Sequence, residues 1–180
     1  MTRHPGGVEH TARMIELAGI ALPCRILDLG AGDGETVRQL RSLGFDASGI
    51  DLAPGEDVES GDILAAPYPD GCFDALVSQC AFFVTGDVPR AFRESLRLLR
   101  PGGKLLLSDV GFGGEEALRS AAESAGFTVL LTEDMTPVWR AYYIDSIWNG
   151  TAYEFCACVP KGKCGYYLMI CEKRVCHGAV

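Results

Sequence analysis

Two groups of residues in this chain have the types and spacing to do chemistry. The first is Asp28-x-Gly30-x-Gly32-x-Gly34, with Asp51 downstream. Glycines in such a run let the backbone turn tightly and let a ligand approach the main chain. A carboxylate at the end of the next strand can accept hydrogen bonds from both ribose hydroxyls of a nucleoside. The second group is Cys156-x-Cys158-x5-Cys164, a set of thiols of the kind that binds soft ions.

Two acids beside the glycine run narrow its ligand. A dinucleotide site wants Gly-x-Gly-x-x-Gly, so that the pyrophosphate meets a helix N-terminus. The third glycine position of that pattern is Glu35 here, and its carboxylate would repel a pyrophosphate. Asp28, two residues before the first glycine, suits a ligand bearing an ammonium group. The residues therefore favour S-adenosylmethionine (SAM) over NAD, and an NAD oxidoreductase fails on Glu35.

These residues need elements to position them. Val8 to Ala18 reads as a helix with Val8, Ala12, Ile15 and Ala18 on its apolar stripe. Arg25 to Leu29 is a strand leading into the glycine run. Glu35 to Leu43 is a helix, and Asp46 to Ile50 is a second strand closed by Asp51. Phe73 to Ser78 is a further strand. Asp87 caps a helix over Val88 to Leu99, and Lys104 to Ser108 is the next strand after Pro101-Gly102-Gly103. Glu115 to Ala125 is helical, Phe127 to Leu131 a strand, Pro137 to Trp148 helical, and Tyr166 to Glu172 the last strand. Apolar strands alternating with helices predict an α/β, doubly wound parallel sheet. A ligand belongs at the carboxyl ends of its strands.

With these motifs in place, the chain resembles the class I SAM-dependent methyltransferases, in particular the small-molecule group that includes ubiquinone and menaquinone methylases. Five motifs occur in order: Ile26 to Gly34, Gly49-Ile50-Asp51-Leu52, Gly61-Asp62-Ile63, Pro69 to Asp74, and Leu98 to Leu105 with its Arg100-Pro101-Gly102-Gly103 turn. The resemblance implies a Rossmann-like sheet, mostly parallel, with an antiparallel last strand. It implies SAM contacts at Asp28, Gly30, Ala31, Gly32, Asp51, Leu52, Ser78 and Gln79. It makes Asp62 and Ile63 the adenine clamp, the Asp reaching the exocyclic amine and its neighbour packing on the ring. Arg3 to Gly7 is similar to a segment that folds over the cofactor in some relatives, which adds Gly6 and Gly7. The chain then divides as one domain into a cofactor-covering segment and helix (1–24), a SAM-binding core (25–131), a substrate-side connection (132–164), and a last strand with its tail (165–180).

Relatives place a helix between the ribose acid and the adenine Asp. Only ten residues separate Asp51 from Asp62 here, Pro54 and Gly55 among them, so that helix is expected to be missing and the third strand short. An uncovered edge invites pairing, which leaves a homodimer as the open alternative to a monomer. Methyl transfer from a sulfonium needs alignment more than a fixed base, and no catalytic residue announces itself. His10 and His177 read as surface residues, and His4 as able to enter the site. Phe82, Phe83, Tyr142, Tyr143 and Trp148 are the candidates for the acceptor pocket, with roughly half of the aromatics in the 132–164 connection expected in the core. Paired Cys-x2-Cys spacing is absent, so no metal is expected at Cys156, Cys158 and Cys164. Two rival readings stay open: a metal- or redox-sensing module working through the C-terminal thiols, and a methylase of a metalloid such as arsenite.

Composition limits the partners. Apolar residues make up 48% and charged residues 22% of 180, which is ordinary for a globular domain. A net charge of −8 argues against a nucleic-acid partner and against an anionic membrane surface. No apolar run is long enough to span a bilayer, and the first residues carry no export-type segment. A small-molecule substrate in the cytoplasm is the expectation.

Overall fold

The computed structural model describes residues 4–150 and 164–175. Its centre is one seven-stranded sheet built from β1 (Arg25–Leu29), β2 (Asp46–Asp51), β3 (Glu59–Ser60), β4 (Phe73–Gln79), β5 (Leu99–Phe112), β6 (Phe127–Asp134) and β7 (Cys164–Lys173). The strand order is β3-β2-β1-β4-β5-β7-β6, with β7 antiparallel to both neighbours and the remaining pairs parallel. The order reverses between β1 and β4, so the topological switch lies beside the glycine run.

Alternation along the strands feeds two core layers. Leu105 and Leu107 of β5 join Leu27, Leu29, Leu76 and Met169 under α3 (Val88–Leu98) and α4 (Glu115–Ala125), which supply Phe92, Leu98, Leu118 and Ala122. Leu106 points the other way, with Ile26, Val77, Leu168 and Ile170, towards α1 (Gly7–Ala18) and α2 (Glu35–Ser42), which supply Met14, Ile15, Val37 and Leu40. The helices end where local chemistry requires. The Asp87 carboxylate caps α3 by accepting the Arg90 amide at 3.0 Å. Gly19 at φ 60° and Gly126 at φ 112° stop α1 and α4 in the left-handed region.

The helix between β2 and β3 is missing, as the residue count requires, and β3 has two residues. Residues 52–58 instead fold back on the glycine run, where the Gly55 amide donates to the Gly32 carbonyl at 2.8 Å. A Cβ at Gly55 would lie 2.6 Å from the Asp33 Cα, so the two segments touch backbone to backbone.

Three expectations need correction. β5 spans 99–112, not 104–108. At its start, Phe73 pairs with Leu99 and Ala75 with Lys104, so Pro101-Gly102-Gly103 bulges out of a continuing strand. At its end, Asp109 to Phe112 are held by β7, which also extends β6 through Glu133 and Asp134. Thr132–Asp134 and Cys164 thereby leave the substrate-side connection for the sheet. Finally, the buried stripe of α1 is Gly7, His10, Thr11, Met14, Ile15 and Ala18; it shares Ile15 and Ala18 with the expected one, while Ala12 is exposed and Val8 is 45% exposed.

Close contact between β2 and the glycine run yields a prediction. A Cβ at Gly49 would lie 2.6 Å from the Ala31 Cβ and 2.7 Å from Val37 Cγ2. Neither neighbour can swing away, so Gly49→Ala is expected to cost about 1–3 kcal/mol by overpacking. A urea titration monitored by circular dichroism measures it.

Candidate functional site

The glycine run is turned by β2. The Gly30 and Ala31 amides both donate to the Ile50 carbonyl, at 2.9 and 3.0 Å. The Gly32 amide donates to Asp51 Oδ2 at 2.9 Å, and the Ala53 amide to Asp51 Oδ1 at 2.8 Å. Gly30, Gly32 and Gly34 all have φ between 53° and 81°. At Gly30 a side chain is also excluded by space, because its Cβ would overlap that of Ala81.

Asp28 lies beneath this turn. It is 3% exposed, and no hydrogen bond to its carboxylate is present among the described residues. Burial, reinforced by the charge of Asp51, pushes its carboxyl up to about 7. A buried carboxylate without a donor is stabilised most by a cation, so the site can hold an ammonium group. Leu52, next to Asp51, is 77% exposed and offers an apolar side chain to a ligand. The Gly61 amide donates to the Asp51 carbonyl at 3.0 Å, which brings Asp62 close to Asp51. Asp62 is exposed and accepts the Leu64 amide through Oδ1.

Other expected contacts fall elsewhere. Ile63 is packed into the core under α3, so it does not offer a face to an adenine ring. Ser78 is fully buried and donates to the Leu29 carbonyl at 2.9 Å, tying β4 to β1. Phe82 is fully buried edge-on against Phe92, so it is core and not pocket wall. The alternation that points Leu107 into that layer does the same for Phe82 by way of the turn after β4.

Gln79 is the junction between the sheet and the N-terminal segment. Its Oε1 accepts from Thr11 Oγ1 and Thr36 Oγ1, both at 3.2 Å, and its Nε2 lies 3.2 Å from His4 Nδ1. His4 is thereby brought to the carboxyl edge. Gly6 caps α1 at φ 81°, and Gly7 is buried at its first turn.

Beyond the ends of β4 and β5 the packing is aromatic. Phe83, Val110 and Tyr166 form a small cluster against which Cys80, Phe112, Met135, Trp139 and Cys164 pack. Trp139, on α5 (Thr136–Trp148), stacks on Tyr166 at 6.5 Å and on Tyr143 at 6.1 Å. Tyr142 and Tyr143 are half-buried on the same helix, while Trp148 is 84% exposed at its end. Cys156, Cys158, Cys176 and His177 lie outside the described residues. Among the described residues, no group of three or more His, Cys, Asp or Glu side chains could hold a metal. Burial raises the Cys24 thiol to about 11 and that of Cys171 to about 12, as suits inert core thiols.

Residue types and spacing missed a buried polar chain. His10, expected on the surface, is 5% exposed, and its Nε2 lies 2.9 Å from Ser108 Oγ. Ser108 Oγ donates to Tyr166 Oη at 2.6 Å, and the Cys80 thiol lies 3.3 Å from the same hydroxyl. Beside it, the Asp109 carboxylate accepts amide protons from Ala81, Phe82 and Val110, at 3.1, 2.7 and 2.6 Å. Burial nonetheless pushes that carboxyl up to about 7. The available signal was position: His10 and Thr11 fall on the helical stripe of Met14 and Ala18.

Burial, with His4 and Arg13 nearby, lowers the His10 pKa to about 4. A base whose native pKa lies below its unfolded value is protonated first in the unfolded chain, so stability is lost as pH falls from about 6.5 towards 4. Between pH 7 and pH 5 the wild type should lose about 2 kcal/mol through this group. His10→Gln, which keeps a donor to Ser108, should lose correspondingly less; urea midpoints at the two pH values measure the difference.

Comparison with known proteins agrees with this fold. Residues 27–107 match the family described as "Methyltransferase domain". The demethylmenaquinone methyltransferase of Thermus thermophilus is 36% identical over 112 residues, covering 53% of this chain and 51% of that protein. The chain thus spans about half the length of that curated relative. Among solved structures, Haemonchus contortus phosphoethanolamine N-methyltransferase 2 in complex with SAM superimposes with a TM-score of 0.78 at 18% identity, over 96% of this chain and 54% of that one. The [4+2]-cyclase SpnF superimposes with a TM-score of 0.71 at 23% identity, over 93% and 81%. No helix among the described residues is long and apolar enough to cross a membrane. Residues 27–107 are therefore similar to the methyltransferase-domain family, within a chain that carries the fold of these solved structures.

Proposed function

We propose that the chain is a SAM-dependent methyltransferase acting on a small-molecule acceptor. The observation that carries this reading is the buried Asp28 carboxylate, without a hydrogen-bond donor among the described residues, under a glycine run whose neighbouring strand ends in Asp51. Asp28 would hold the ammonium of the methionyl part. Asp51 would hold the ribose hydroxyls, and Leu52 and Asp62 would flank the adenine. When bound, SAM supplies an electrophilic methyl group on a sulfonium.

The chain's own work is then alignment and exclusion of water. Asp109 fixes the turn after β4 through the Ala81 and Phe82 amides, and that turn rests on Gly30. Phe83, Phe112, Trp139 and Tyr143 supply the apolar wall on the acceptor side. Holding donor and acceptor in line can provide most of the acceleration without a dedicated base. The matched relatives differ in the acceptors they are named for, and one fold neighbour is a cyclase, so both transfer and acceptor have to be measured.

Calorimetry with SAM and S-adenosylhomocysteine (SAH) tests cofactor binding, and labelled SAM incubated with metabolite pools tests transfer. Binding of NADH with no response to either SAM or SAH overturns the reading. Asp51→Ala should weaken SAH by about 1.5–3 kcal/mol, the usual worth of hydrogen bonds to a charged group.

Asp28 gives a pH dependence. An acid whose native pKa is raised is favoured protonated in the fold, so its ionisation costs stability as pH rises from about 4 to about 7. An ammonium ligand selects the ionised form, so binding releases a proton below pH 7. SAH affinity should be about tenfold weaker at pH 6 than at pH 8. Asp28→Asn should bind weakly at both and lose that slope.

A further inference from the structure

We propose that Arg97 and Glu94, both on α3, are the positioning residues for the adenine-side loop. This rests on the cofactor reading above. With no helix after β2 and only two residues in β3, residues 61–71 have little sheet to hold them. Ile63 and Ala66 anchor the loop in the core, and α3 holds the backbone between and beyond them.

The bonding is dense. Arg97 Nη2 donates to the Ala66 carbonyl at 3.0 Å and to Glu94 Oε1 at 2.6 Å. Arg97 Nη1 donates to the Tyr68 carbonyl and to Asp70 Oδ1, both at 2.7 Å. Arg97 Nε donates to Glu94 Oε2 at 2.9 Å. These bonds occupy all five donors of the guanidinium. Glu94 Oε1 also accepts the Ala66 amide at 2.9 Å, Arg90 Nε donates to the Leu64 carbonyl at 3.1 Å, and the Gly71 amide donates to the Arg97 carbonyl at 2.9 Å.

Exposed surface ion pairs in this chain, such as Arg13 with Glu133, contribute little. The Arg97 set differs because Glu94 is only 13% exposed and three of the loop's own backbone groups depend on the pair. A planar fork is required: a lysine keeps the charge but cannot meet four directions at once. The loop carries Asp62 four residues before Ala66, so the clamp sets how Asp62 meets the exocyclic amine of adenine. Arg97 is thereby a determinant of base specificity that touches no ligand.

The test compares SAH with S-inosylhomocysteine, which carries a carbonyl in place of that amine. Wild type should prefer SAH by about tenfold or more, because a site built around a hydrogen bond rejects the analogue that lacks it. Arg97→Lys should weaken SAH and bring the two ligands to nearly equal affinity, whereas a merely structural role would lower stability and leave the preference intact. Should Arg97→Lys not fold, Glu94→Gln carries the same comparison and should reduce the preference in part. A folded variant that keeps the full wild-type preference overturns the clamp. Wild-type protein that binds neither thioether overturns the cofactor reading, and the clamp with it.

Discussion

The carbonyl oxygen of Ile50 accepts two amide protons, from Gly30 and Ala31, and the rest of the site depends on that contact. It forces the chain leaving β1 to turn over the end of β2. Only residues free to take positive φ can continue the turn, which is why glycines stand at 30, 32 and 34. Once the turn is made, Asp51 is close enough to accept the Gly32 amide, and Asp28 is roofed over. Ala81 then rests where a side chain on Gly30 would be. Asp109, two strands away from β1, holds Ala81 there by accepting its amide and the next one. The two sides of the topological switch are thus fixed against each other by backbone polar groups, while the apolar layers fix only the faces.

That division explains what could be read from the residues alone. β1 and β2 were legible because each is a short stretch with an apolar end, Leu29 or Ile50, followed directly by glycine or aspartate and set between turns and helices. The missing helix was legible by counting, since ten residues cannot hold a helix and a strand. The long ends of β5 and β6 were not. Gly111, Glu133 and Asp134 have the local chemistry of a loop, and only pairing with β7, far later in the chain, draws this stretch of β5 and β6 into the sheet. Non-local hydrogen bonds override local propensity there.

Side chains show the same split. Phe82 and Phe83 are adjacent aromatics at the same strand end, and composition cannot separate them; the turn sends one into the core under α3 and the other into the small cluster with Val110 and Tyr166. His10 was misplaced because a polar residue reads as solvated, and Thr11 went unplaced beside it. Each has a buried partner contributed by a distant strand, Ser108 for one and Gln79 for the other. A polar side chain on an apolar stripe is tolerated only with such a partner. The pair also specifies how α1 sits, since sliding the helix by one residue would break both bonds.

Asp28 and Asp109 make the decisive contrast. Both are buried, and burial raises both carboxyls to about 7. Asp109 is surrounded by donors, three backbone amides within 3.1 Å, and the structure gains a fixed turn from it. Asp28 has no donor among the described residues and gains the fold nothing, because an uncompensated buried carboxylate is a cost. Asp28 is therefore the residue that gains most from a cation brought to it. Its position next to the glycine run, with Asp51 alongside, is consistent with the proposed ligand, a cation attached to a ribose-bearing group. A neutral nucleoside would leave Asp28 as costly as before, and a dinucleotide would add the repulsion of Glu35. Fold alone does not separate a methylase from a cyclase. The Asp28 carboxylate separates ligands, because it rewards only a ligand that brings positive charge to that point.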